Sequence, residues 1–405
     1  MSFRISISGM NAASQDLNIT SNNIANVNTT GFKQSRAEFG DLFAVSAYGL
    51  SNVATGAGSR LQTVAQQFSQ GNIDFTGRAL DMAISGQGFF TLSNNGATVY
   101  SRAGNFGSDR EGYVVNPAGH RLQVFQPNTA GGFDTGRIGD LQLPTGDAPP
   151  AATANVTVET NLPADSAQPA VSPFDPLDPN SYNHTTSVTV YDSLGATHSQ
   201  SLYFVKTANP NEWELHTYID GNAVGGAQTV QYSDTGALTS PSPGQITLPP
   251  YATTNGSAPL SMVLDLGRST QYGKTFGVLG LTQDGYTTGR LTGIETSAEG
   301  VISARYTNGV VQPLGQVVMT NFVNPQGLQS LGDNVWGETF NSGEPRRGQP
   351  STADFGAIQG GGLEASNVDL TEQLVNMITA QRNFQANAQM ISTADSITQT
   401  IINIR

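Results

Sequence analysis

The sequence predicts a mixed, mainly β fold: a terminal α-helical coiled-coil layer from the two chain ends, with two antiparallel β domains between them. Three observations carry that expectation. Apolar residues recur at heptad spacing near both ends, while turn signals recur roughly every ten residues in the middle. Proline clusters once, with nine of the 20 between Pro127 and Pro179, which marks a domain boundary.

At the start, Phe3, Ile7, Met10, Leu17 and Ile24 follow an a/d seam, with Ser14 and Ser21 in its vacant places. At the end, Leu370, Leu374, Met377, Phe384, Ala388 and Ile391 repeat the pattern, and Ile397, Ile401 and Ile404 extend an apolar stripe. Asp369 with Glu372 three residues on has capping-box spacing, so a helix starts there. It runs to the last residues, about 50 Å at ~1.5 Å per residue. Gly360–Gly362 just before it reads as a hinge or turn. Such stripes also suit helices packed on their own domain core. Here, however, residues 376–400 hold only Arg382 and Asp395, and the faces opposite the seams are Asn, Gln, Ser and Thr. A polar but nearly uncharged face suits packing against other protein, including further copies of the chain.

The middle reads as strands. Leu80, Met82 and Ile84 alternate, and Gly86 and Gly88 are expected to turn the chain into a second strand at Phe89. Val188 and Val190, the Ser193-Leu-Gly195 turn, then Leu202 and Phe204 read as a hairpin. Trp213–Ile219 alternates as a half-buried strand does. Boundaries near residues 145 and 285 divide the chain into 1–70 with 357–405 (helical core and connecting segment), 71–145 with 285–356 (middle β domain) and 146–284 (a β insertion).

Composition excludes several functions. Only 12% of residues are charged, about half the usual quarter, and the net charge is −13 with lysine only at Lys33, Lys206 and Lys274. That is a poor electrostatic partner for phosphate backbones or anionic lipid surfaces, so no nucleic acid is expected. The cysteine count of zero removes disulfides, thiolate catalysis and zinc–cysteine sites. No apolar run long enough to span a bilayer occurs, and the first ten residues lack a secretory h-region.

No catalytic, cofactor or metal constellation stands out. None of His120, His184, His198 and His216 has a second ligand at helical spacing, although His198 and His216 fall on neighbouring expected strands. Gly267 followed by Gly273-Lys-Thr275 is one residue too long for a phosphate loop and lacks the strand-then-helix context. Gly86-Gln-Gly88 lacks the third glycine of a dinucleotide loop. The expectation is no enzyme and no cofactor.

The remaining distinctive residues end the first helix. Asn22, Asn23 and Asn26 crowd into five positions, followed by Gly31, Phe32 and Lys33. Asparagine side chains compete with helical hydrogen bonds and favour caps, and Gly31 suits a left-handed turn. Asn22–Asn26 with Thr30–Lys33 resembles the N-terminal motif of the bacterial flagellar rod and hook axial proteins. Gly77–Phe90 is similar to the first strand pair of that family's next domain, and Leu363–Leu370, Glu372–Ile378 and Gln381–Phe384 are similar to its C-terminal helix.

Within the family, the insertion at 146–284, with Val188–Asp192, Tyr203–Lys206, Glu212-Trp213 and Gly332–Trp336, looks like the hook type. The resemblance implies nested domains: an inner layer from both termini, a middle β domain and an outer β domain. It implies export by the flagellar type III apparatus without a cleaved signal, and polymerisation into a curved tube that carries torque from rod to filament. The implied partners are many copies of the chain itself, the rod, the hook cap and the hook–filament junction proteins. The self-association residues expected are Phe3, Ile7, Met10, Leu17, Ile24, Leu370, Leu374, Met377, Phe384 and Ile391. A distal rod or junction component of the same family, and an unrelated secreted β-rich binding module, remain as alternatives.

Overall fold

Both heptad runs are helical. A computed structural model describes residues 2–42, 56–128, 131–352 and 354–403; in it α1 spans Ser2–Ala25 and α2 spans Leu370–Asn403. Ile404 lies outside the described residues. Asp369 caps α2 as expected: its Oδ1 accepts from the backbone N–H groups of Thr371 (2.8 Å) and Glu372 (3.1 Å). The chain divides into two compact units, Met1–Thr145 with Gly293–Ala304 and Val311–Arg405, and Gly146–Thr292 with Arg305–Val310.

In the first unit, a two-stranded hairpin follows α1. Its strands are β1 (Ser35–Asp41) and β2 (Ser59–Gln66), antiparallel with a bulge between Glu38 and Phe39. An isolated hairpin is marginal in water, so it leans on a helix. Ser35 meets Asn23 near the end of α1, and Ser59 N donates to Ser8 Oγ near its start.

The core of this unit lies on a thirteen-stranded sheet whose central strand, Arg121–Pro127, pairs with Phe89–Asn94, Phe133–Asp140 and Val311–Val317. Met82, Ile84, Phe90, Leu92, Phe106, Leu122, Val124 and Met319 are buried against it. A second cluster, Phe89, Tyr100, Phe322 and Trp336, packs edge-to-face with centroids 4.8–6.1 Å apart, close to the optimum for aromatic pairs.

One sequence expectation needs correction here. Met82–Ser85 and Phe89–Asn94 are both strands, but they do not form a hairpin with each other. Met82–Ser85 pairs with Ala357–Gly360, and Phe89–Asn94 turns at Asn95-Gly96 to pair with Ala97–Ser101. The reason lies in the glycines. Gly86 and Gly88 have φ of +115° and +117°, and the segment beside them is Phe355–Gly356, whose Gly356 N donates to Gln87 O at 2.9 Å, so the place of a hairpin partner is taken by the distant strand. Met82–Ser85 and Ala357–Gly360 form a two-stranded sheet of their own.

The second unit pairs five strands between His184 and Ser240 in sequence order, a sixth short strand lying beside Glu212–Ile219. The Val188–Phe204 hairpin has the expected turn, with Gly195 at φ +82°. Glu212–Ile219 alternates strictly, burying Trp213, Leu215, Thr217 and Ile219. Opposite it, Asn155–Pro163 pairs antiparallel with Gly277–Gln283 and in parallel with two three-residue strands, Val263–Asp265 and Thr270–Tyr272. Eighteen buried apolar residues fill one core. The proline-rich stretch is laid against this unit: Phe174 stacks on His216 at 4.0 Å and meets Tyr203 and Tyr218.

Candidate assembly site

The candidate site is the paired terminal helices and the residues that tie them to the first unit. Side chains three and seven residues apart on α1 decide how the pair closes. The buried residues of α1 are Ser6, Ala13, Thr20 and Asn23, all small or polar. On α2 they are Gln373 and Ala380. Asn23 Nδ2 donates to Gln373 Oε1 at 3.1 Å, and Gly9 faces the Asn387 side chain so closely that a Cβ there would stand 2.6 Å from it. The helices are therefore antiparallel and packed through a seam of small residues, which brings their axes close.

The apolar stripe read from the sequence has the same 3–4 spacing, offset by one residue from that seam. One residue is about 100° of helix rotation, so the large side chains flank the tight contact instead of forming it. Ile7, Met10, Leu17 and Ile24 are half-buried, and Phe3 is 49% exposed. On α2, Met377 and Ile391 are half-buried, while Leu370, Leu374 and Phe384 are 44%, 45% and 36% exposed. The register fixed by Asn23–Gln373 and Gly9–Asn387 sets Phe3, Met10, Leu17 and Ile24 level with Ile391, Phe384, Met377 and Leu370. The result is a ladder of large apolar side chains beside the seam. By the same register, the last turns of α2 overhang the start of α1, with Ile397, Ile401 and Ile402 exposed.

The asparagine motif closes the other end. Asn23 forms a two-way bond with the backbone of Ser35: Nδ2 donates to its O (2.8 Å) and Oδ1 accepts from its N (2.9 Å). Asn26 Nδ2 donates to Asn22 O (2.9 Å), and Thr29 Oγ1 donates to Asn26 Oδ1 (3.0 Å). Phe32 is half-buried. Gly31 has φ +69°, donates to Glu364 O at 2.8 Å, and lies so near Ala103 that a Cβ would clash with its backbone.

Lys33 then enters a buried ion cluster. Its ammonium lies 2.6 Å from Glu364 Oε1 and donates to Ser69 O, and both charged side chains are fully buried. Arg102 Nη1 approaches the other oxygen of Glu364 at 3.4 Å, and Nη2 donates to Gly86 O at 2.8 Å. Gly71 N donates to Glu364 Oε1, and Asn367 bridges Gln34, Gln67 and Ser69. Burial pulls the Lys33 ammonium below its ordinary value, with Glu364 opposing, and burial lowers Arg102 likewise. A carboxylate shared by two buried cations clasps both chain ends to the first unit. Glu364 and Arg102 were not among the residues singled out from the sequence. The available signal was an isolated lysine directly after a Gly-Phe turn in a chain almost without lysine.

The histidines hold structure. His198 lies between Asp220 (Nδ1, 2.6 Å) and Asp192 (Nε2, 3.2 Å), so it does not meet His216, which pairs with Tyr203 in the strand register. Among the described residues no group of three His, Asp or Glu side chains is placed to hold a metal, and no helix is long and apolar enough to cross a membrane. Gly273–Thr275 follows a strand and leads into no helix.

Comparison with known proteins matches these parts in order. Residues 3–33 match the family described as "Flagella basal body rod protein", 83–162 the "Flagellar hook protein FlgE/F/G D1 domain", 161–286 the "Flagellar basal body protein FlaE D2 domain" and 359–404 the "Flagellar basal body rod FlgEFG protein C-terminal". Over its whole length the chain is 38% identical to the "Flagellar hook protein FlgE" of Escherichia coli (strain K12), covering 100% of both chains. The chain belongs to the flagellar hook protein family. Its relative in Borreliella burgdorferi is 33% identical over 98% of each chain. The fold is like that of the crystal structure of Helicobacter pylori flagellar hook protein FlgE2 (TM-score 0.54, 17% identity, 72% of this chain and 100% of that one). As a hook-family protein it is a structural component of the bacterial flagellum, and the hook is extracellular. The first terminal match ends at Lys33 and the last includes Glu364, so the clasp joins the two family termini.

Proposed function

We propose that this chain polymerises through the apolar ladder on its terminal helices. Phe3, Ile7, Met10, Leu17 and Ile24 on α1, with Leu370, Leu374, Met377, Phe384 and Ile391 on α2, form the inner contacts between copies in the hook tube. One observation carries this reading: the helix pair closes on small residues and leaves its large ones half-exposed along one edge. Exposed apolar surface of that length is a site for protein contact. A heterologous contact that does not close on itself builds a helical tube.

The subunit is then a building material with no catalytic step, divided into an inner helical layer, a middle β domain and the insertion. Its further partners are the rod below, the hook cap during growth, the hook–filament junction above and the type III export apparatus. Electron microscopy of the purified full-length chain tests the reading. Curved tubes are expected under polymerising conditions, and chain that stays monomeric there contradicts it.

A further inference from the structure

We propose that a knuckle in the first unit, formed by Val323 and Phe340, is a second contact between copies, separate from the terminal helices; it rests on the polymer reading above. Phe340 is 100% exposed and Val323 70% exposed, whereas the other aromatic residues of this neighbourhood, Phe322 and Trp336, are buried.

The exposure is not that of a loose loop. Phe340 opens a 3-10 turn, Phe340–Ser342, held by a reciprocal cap: Thr339 Oγ1 accepts from Asn341 N, and Thr339 N donates to Ser342 Oγ. A neighbouring turn, Pro325–Gly327, is stitched to it. Asn324 N donates to Ser342 O (3.2 Å), Asn324 Nδ2 donates to Asn341 O (2.9 Å), and Thr339 Oγ1 donates to Gly327 O. A rigid turn presents its aromatic side chain at little ordering cost, as strong interface anchors do. Beside the ring lies a recess of about 450 Å³, between Thr339 and Pro345.

Two observations name the occupant as a second copy of this chain. The family is one of self-assembling hook subunits. The knuckle is also continuous with the surface that carries the terminal helices. Gln326 Nε2 donates to Gln66 O at the end of β2, and a groove of about 270 Å³ between them is lined by Val64, Phe68, Pro325 and Leu328. The groove thus joins the hairpin packed on α1 to the Pro325–Gly327 turn, which is itself bonded to the turn that carries Phe340. Because the assembly is a tube, the knuckle meets a different surface on the neighbour.

The test uses the full-length chain with Phe340→p-benzoylphenylalanine, irradiated as monomer and as tubes, alongside Phe340→Ser. Self-cross-links confined to the tubes are expected, and Phe340→Ser should raise the protein concentration needed for tubes about tenfold with the melting curve unchanged. Tubes without self-cross-links, or Phe340→Ser tubes at the ordinary concentration, overturn the knuckle contact and leave the helical one standing. Absence of tubes from the unsubstituted chain overturns both.

Discussion

The helical ends and the second unit solve the burial problem in opposite ways. The second unit closes a full apolar core within one chain: Val190, Leu202, Phe204, Trp213, Leu215 and Leu264 are all fully buried. The helix pair hides serine, glycine, alanine, threonine and asparagine, and leaves phenylalanine, leucine and isoleucine half in water. The second unit is finished as a monomer, and on the proposed reading the helix pair is finished only by neighbours. What fixes the helices in the single chain is polar: the Asn23 bonds and the Lys33–Glu364–Arg102 clasp. Directional bonds set an orientation without using up apolar surface, which suits ends that must present that surface to other copies.

Four substitutions sharpen the contrast, in decreasing order of effect on the single chain. Glu364→Ala leaves two buried cations without their carboxylate and should cost about 3–5 kcal/mol in the first unit. The second unit should keep its own transition in a thermal melt. Leu202→Ala reverses the pattern, with about 2–5 kcal/mol lost from the second unit through cavity formation and the helices untouched. Gly9→Leu forces a side chain into the seam against Asn387 and should cost about 1–3 kcal/mol, read as lost helical circular dichroism.

The fourth concerns pH. Burial alone pulls His198 down, but hydrogen bonds from the imidazolium to Asp220 and Asp192 outweigh it, and its value is raised above 6.5. A group raised on folding stabilises below its unfolded value and loses that contribution as pH climbs through the folded one. The melting temperature of the second unit should therefore fall as pH rises past 6.5, and His198→Gln should flatten that dependence. Asp192 and Asp220 are both held below the usual carboxylate value, so their own loss of charge lies in acid, outside this window.

The sequence discloses what is local. The α2 start at Asp369, the alternation of Glu212–Ile219 and the Gly195 turn depend on neighbours a few residues away, and all stand where the pattern places them. Long-range pairing is different. The partner of Met82–Ser85 is Ala357–Gly360, and Glu364 lies 331 residues from Lys33 and 262 from Arg102. No periodicity connects such positions. The seam was hidden for another reason. Ser6, Gly9, Ala13, Thr20 and Asn23 keep heptad spacing, but they are small or polar and carry little hydropathy signal, so the stripe of large residues one position over dominates the pattern. The family resemblance, in contrast, was legible from short motifs at both ends and at Gly77–Phe90, with the insertion pointing to the hook type.

On the proposed reading, the large apolar residues on the helices belong to neighbouring copies. Leu374→Asp tests it most directly, because Leu374 is 45% exposed and off the small-residue seam. Helical circular dichroism and thermal melting of the monomer should match the unsubstituted chain, while tube formation measured by electron microscopy should be lost, since an uncompensated charge cannot be buried in an apolar contact. Normal tubes from this variant would contradict the account, and so would a monomer whose helices have melted.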